Sequence, residues 1–209
     1  MMTAQEALER LREGNERFVS GDRRLDDLLS ERPPNELVGG QAPFAVVLGC
    51  SDSRVPVEVI FDQGLGDLFV IRVAGNVAAP SQLGSAEFAA EHFGSRLVVV
   101  LGHTGCGAVQ ATLGALQNPG GPMSRNLQSL VDRIRPAMEK LLATDLRDDP
   151  AALVAHGVRA NVRTAVDDLR SDSSVLEHLL QEDGLRIVGA EYDLETGRVD
   201  FFEGVSDLD

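Results

Sequence analysis

The sequence contains only two cysteines, Cys50 and Cys106. That is too few for a disulfide scaffold, and in a reducing compartment such residues serve as metal ligands, catalysts or small core side chains. Basic residues are also scarce: 19 against 33 acidic ones leave a net charge of −14. Phosphate backbones and anionic membrane surfaces repel such a chain on average, so nucleic acid is not an expected partner. A small anionic substrate stays possible, because a metal ion and an arginine can invert the field inside a pocket. No apolar run approaches the roughly 18 residues of a membrane span. The first twenty residues mix charges where a signal peptide has an apolar region. The expectation is a cytoplasmic protein with no membrane partner. Internal repeats and low-complexity segments are absent as well.

What is present is ordinary globular material, 43% hydrophobic and 25% charged over 209 residues, enough for one well-cored domain. Phe44–Gly49, Leu68–Val73, Arg96–Gly102 and Leu185–Asp193 are short runs rich in Val, Ile and Leu, as in strands buried on both faces of a parallel sheet. Helical patterns alternate with them over Val57–Phe61, Ser81–Phe93, Gly105–Gln117, Asn126–Ala143, Pro150–Arg170 and Ser173–Glu182, with Pro136 a candidate break in the fourth. Glu195-Thr196-Gly197 reads as a turn into an edge strand, Arg198–Phe202. The fold class is therefore α/β: a central, mostly parallel sheet of about four parallel strands plus a C-terminal edge strand, flanked by helices. Residues 1–40 read as an N-terminal arm, with an amphipathic helix over Thr3–Val19 and a Pro/Gly-containing connection. Residues 41–209 form the single α/β domain.

Two clusters follow two of these strands. Cys50-Ser51-Asp52-Ser53-Arg54 comes directly after Phe44–Gly49, and His103-Thr104-Gly105-Cys106-Gly107 directly after Arg96–Gly102. Open parallel sheets place their sites at this carboxyl edge. Two thiolates and an imidazole suit zinc, and three protein ligands leave a fourth position open for water or substrate. A bound zinc can lower a water's pKa from about 15.7 to near 7. Plainer readings compete. A buried cysteine is commonly a small core hydrophobe, and Asp52 with Arg54 could be a surface ion pair of little energetic value. Gly105 and Gly107 could form a phosphate-binding turn, although no P-loop lysine follows. If Cys50 does bind metal, a carboxylate two residues on could either coordinate it or, gripped by Arg54, accept a hydrogen bond from a bound water. Spacing does not choose between these. His92, His156 and His178 lie in helical patterns and are left out of the site.

Taken together, Cys50-x-Asp52-x-Arg54-Val55, Phe61-Asp62-Gln63-Gly64-Leu65-Gly66-Asp67, Arg72-Val73-Ala74-Gly75-Asn76 and Gly102-His103-x-x-Cys106-Gly107 resemble the β-carbonic anhydrase family in order and spacing. The resemblance implies one Zn2+ per chain on Cys50, His103 and Cys106, and reversible hydration of carbon dioxide to bicarbonate and a proton by zinc-bound hydroxide. It implies that Asp52 orients the hydroxide while Arg54 positions Asp52. Gln41, Phe69, Phe88 and the Gly107 backbone N–H match substrate-contacting positions, and the site is expected near a dimer interface. Phe88 stands where many relatives have tyrosine, and Val47 where a bicarbonate-inhibited subgroup has tryptophan. The chain is expected to self-associate as a homodimer or tetramer, with Thr3–Val19 packed on a neighbour. Two alternatives remain: hydrolysis of carbon disulfide or carbonyl sulfide on the same scaffold, and a non-catalytic zinc-binding or thiol-redox module.

Overall fold

The computed structural model describes residues 2–24, 37–206 and 208. Most of the connection after the first helix, including Pro33 and Pro34, lies outside the described residues.

Helix α1, Ala4–Ser20, starts where Thr3 and Glu6 cap each other reciprocally and stops at Gly21, which takes the left-handed conformation that glycine tolerates. Its apolar stripe, Ala4, Ala7, Leu8 and Leu11, joins one buried cluster with Phe61, Val99 and Val188 of the same chain. This helix was expected on a neighbour, yet its apolar face is covered by its own chain. Full burial of Leu8 and Leu11 contributes roughly 1.5–3 kcal/mol each. Polar contacts fix its direction: Arg10 meets Asp67 at 2.8 Å, Arg17 meets the fully buried Asp62 at 2.6 Å, and the Asn15 amide donates to the Ile60 and Gly197 carbonyls.

The sheet consists of β1 (Ala45–Gly49), β2 (Leu68–Arg72), β3 (Leu97–His103), β4 (Arg186–Tyr192) and β5 (Val199–Glu203) in the order β2-β1-β3-β4-β5. The first four run parallel and β5 pairs antiparallel to β4. Every residue of β1 and β3 is buried, which is why their sequences are continuous apolar runs without alternation. The intervening helices are α2 (Val57–Ile60), α3 (Pro80–His92), α4 (Gly107–Gln117), α5 (Arg125–Leu142), α6 (Pro150–Ser171) and α7 (Ser174–Glu182). Pro136 does not break α5. Val131, Ile134, Ala137 and Met138 bury one continuous face around it, and that packing outweighs the backbone hydrogen bond a proline cannot make.

Helix α6 lies unusually close to the sheet. A Cβ on Gly102 would come within 2.6 Å of Val162 Cγ2, and one on Gly189 within 2.7 Å of Val162 Cγ1. The two glycines thus form a seat for this helix beside the carboxyl edge of β3.

Candidate metal centre

The parallel pairing of β1 with β3, Gly49 opposite Leu101, sets the next residues of both strands side by side. Cys50 leaves the end of β1, His103 closes β3, and Cys106 caps the start of α4. Their ligand atoms all lie within 4.8 Å of one another, and all three residues are buried. Backbone geometry turns each donor inward. The Gly75 N–H donates to Cys50 Sγ at 3.4 Å, and His103 Nδ1 meets the Thr104 carbonyl at 3.0 Å. An Nδ1–H donating to a carbonyl leaves Nε2 as the free lone pair. Among the described residues Nε2 has no hydrogen-bond partner although its ring is fully buried. An orphaned buried nitrogen facing two thiols is costly unless something coordinates it. The donor set therefore fits a zinc ion.

The titration of the thiols fits the same reading. The Cys106 thiol stabilises a thiolate at Cys50 against the cost of burial, drawing Cys50 down to about 4. Cys50 in turn pushes the Cys106 thiol well above its ordinary range, with burial adding to the rise and the amides of Val109 and Ala108 opposing it. The pair thus holds one negative charge easily and resists a second until a cation arrives. At His103 burial disfavours the charged ring, but the Cys50 sulfur and its charge outweigh that, and the net shift is upward.

At the rim, Arg54 grips Asp52 with a two-point fork, Nε to Oδ1 at 3.0 Å and Nη2 to Oδ2 at 2.8 Å. This hydrogen-bonded fork holds the carboxyl well below the usual carboxylate range despite partial burial. Asp52 Oδ2 stands 3.8 Å from His103 Nε2, beside the cluster. Arg72 ties down the turn by donating to the carbonyls of Cys50 at 3.1 Å and Asp52 at 2.7 Å. Arg72 and Gly75 belong to a stretch singled out above without a role being seen for either; their signal was a charged residue and a glycine closing an apolar strand.

The other candidates are placed differently. Gly107 adjoins Cys106 at the exposed start of α4. Phe69 pairs in register with Val46, four residues back from Cys50, roughly 13 Å along a strand. Its ring packs near Phe88 and Phe93, at 6.3 and 6.0 Å between centroids. Phe88 is half exposed and stacks on His92. Gln41 is exposed ahead of β1, toward the opposite edge of the sheet. None of the hydrogen bonds or ring contacts of the described residues joins Gln41, Phe69 or Phe88 to Cys50, His103 or Cys106 of the same chain. His156 and His178 are exposed on α6 and α7.

An open parallel sheet with a buried Cys–His–Cys cluster and a gripped carboxylate at its carboxyl edge defines an α/β enzyme with a metal-type centre. Comparison narrows the class. The carbonic anhydrase family model matches residues 45–199. Carbonic anhydrase 2 of Mycobacterium tuberculosis is 42% identical over 191 residues, covering 90% of this chain and 87% of that protein. The carbonic anhydrase of Mycolicibacterium smegmatis is 39% identical over 198 residues, covering 95% and 93%. Among solved structures, the β-carbonic anhydrase CafA of Aspergillus fumigatus matches with a TM-score of 0.73 at 31% identity, over 86% of this chain and 85% of that one. A tetrameric β-carbonic anhydrase of Sordaria macrospora matches with 0.70 at 26% identity, over 80% and 84%. The chain belongs to the β-carbonic anhydrase family and is a carbonic anhydrase.

Proposed function

We propose that the chain hydrates carbon dioxide reversibly to bicarbonate and a proton, using one zinc held by Cys50, His103 and Cys106. The observation that carries this reading is the buried three-donor cluster, in which His103 Nε2 has no hydrogen-bond partner among the described residues. Zinc in such a donor set supplies Lewis-acid activation of water at neutral pH. Cys50 and Cys106 bring the negative charge that retains the cation, and the Thr104 carbonyl fixes the imidazole tautomer. Asp52, with both oxygens occupied by Arg54, stands beside the cluster as a hydrogen-bond acceptor that orients the attacking water. The Gly107 N–H serves as a donor to substrate oxygen.

The assigned parts of Gln41 and the apolar walls Phe69 and Phe88 call for a second copy, since Phe69 sits level with Val46, four residues back from Cys50, and Phe88 packs beside Phe69. The working form is therefore a homodimer or a pair of dimers, and the cytoplasm is its place. Elemental analysis with stopped-flow hydration of carbon dioxide is the test. One zinc per chain and metal-dependent hydration are expected; a zinc-replete protein without hydration activity would overturn the reading.

A further inference from the structure

Cys50 Sγ accepts a hydrogen bond from the Gly75 N–H at 3.4 Å, and the carbonyl of that same residue accepts one from Asn161 Nδ2 at 2.7 Å. We propose that Asn161 is a positioning residue for the metal centre: by holding the Gly75 carbonyl from α6, it aims the Gly75 N–H at the Cys50 sulfur. The inference rests on the reading of Cys50 as a zinc ligand, and it concerns how that ligand is tuned.

Three features make the link specific. Gly75 has φ 73°, a left-handed conformation that favours glycine, and a Cβ there would lie 2.8 Å from Ile134 Cδ1 and 3.0 Å from Ala108 Cβ. The turn at Ala74–Asn76 thus passes closely between α4 and α5 at a residue with no side chain, whose dihedrals are free to shift unless a partner holds them. Asn161 is only 2% exposed, so its amide has given up water for the Gly75 carbonyl, and losing either partner leaves a buried polar group unmatched. Finally, α6 is held at a fixed height. Val158 and Val162, flanking Asn161 in sequence, press on Gly102, the residue before the ligand His103. Asn161 therefore joins the strand end carrying one ligand to the turn that faces another.

The chemistry follows from the direction of donation. An N–H aimed at a thiolate is a charge-assisted hydrogen bond that withdraws electron density from sulfur. A sulfur so engaged is stabilised as thiolate, so a metal competes with fewer protons for it, and it is held in one orientation for coordination. The Gly75 N–H and carbonyl sit on successive peptide groups joined at the Gly75 Cα, so Asn161 acts by fixing the second group; without it Gly75 can reset both of its dihedrals, and Cys50 loses both effects.

The experiment loads the full-length protein with 113Cd in place of zinc and reads the scalar coupling between the metal and the Gly75 amide proton, which passes only through an N–H···S bond to a coordinating sulfur. Wild type should show this coupling; its absence in a protein carrying one cadmium per chain overturns the proposal, whether or not the variants fold. Asn161→Leu keeps the side-chain volume without a donor, and Asn161→Ala is the smaller alternative. In either folded variant the coupling should shrink or vanish, and zinc affinity measured by chelator competition should fall about 10-fold. A residue that merely stabilised the fold would lower the melting temperature while leaving the coupling and the affinity unchanged, and that result overturns the proposal. A wild-type protein that binds no metal overturns both this inference and the zinc reading; normal zinc content and hydration with an unchanged coupling overturns this one alone.

Discussion

Arg54 reaches both carboxylate oxygens of Asp52 through its guanidinium and adds its own backbone N–H to Oδ1 at 3.0 Å. The carboxylate is thereby held beside His103, outside the three-donor cluster. Arg54→Ala should leave zinc content intact and lower turnover by about 10²-fold, the upper scale for losing an orienting group behind a metal site. Arg54→Lys should restore little, because a point charge cannot form the two-point fork. Stopped-flow hydration on samples matched for zinc is the check, and unchanged turnover in Arg54→Ala would remove the pair from the mechanism.

Cys106 is a second, independent handle on the centre. Cys106→Ser replaces a thiolate by a hydroxyl that stays neutral near pH 7, so the site loses a negative charge and a soft donor. The variant should purify with little or no zinc, while wild type should carry one per chain. Elemental analysis decides, and full zinc in the variant would take Cys106 out of the ligand set.

The tie between α1 and the loop after α2 should be measurable as stability. Asp62 is fully buried and meets Arg17 at 2.6 Å. Arg17→Met would leave that carboxylate with the Arg24 backbone N–H as its remaining described donor. Breaking a buried pair from one side costs about 3 kcal/mol. Urea unfolding of the variant should show an unfolding free energy lower by that amount, read as a shift of the midpoint at unchanged slope, with hydration per folded molecule retained.

Asp168 should show the opposite sign. Burial and, next, the neighbouring Asp172 charge raise its carboxyl above the ordinary value, with Arg133 opposing. Because the folded state then binds the proton more tightly than the unfolded state, stability falls as pH rises from the unfolded pKa through the folded one. The penalty is complete at neutral pH and absent well below the unfolded pKa. Asp168→Asn should therefore melt higher than wild type at pH 7, and the difference should close toward pH 4. Calorimetry across that range tests the sign.

The parts legible in the sequence were those governed by local pattern. β1 and β3 declared themselves as unbroken apolar runs because both of their faces are covered, and the clusters with Cys50 and with His103 and Cys106 come directly at their ends. Pro136 misleads because a helix interior tolerates a proline when the face around it is well buried, and burial is not visible in a single sequence. Phe69 and Phe88 match a spacing, yet spacing carries no distance to Cys50. Asn161 carries no motif at all: it meets Gly75 only because α6 is seated on Gly102 and Gly189, a matter of packing between segments remote in the chain.

The pairing of β3 with β4 has a consequence for how the chain acquires its structure. Leu97–His103 and Arg186–Tyr192 are neighbours in the sheet, but all of α4 to α7 separates them in sequence. Closing so long a loop carries an entropic cost before any contact repays it, and topologies of this kind fold slowly. β1, β3 and the Cys50, His103 and Cys106 that follow or close them emerge from the ribosome well before α6 and β4, so the nascent chain holds its thiols without the elements that later bury them. Slow refolding of the denatured protein, with zinc retained tightly only after β4 has docked, is the expected kinetic signature.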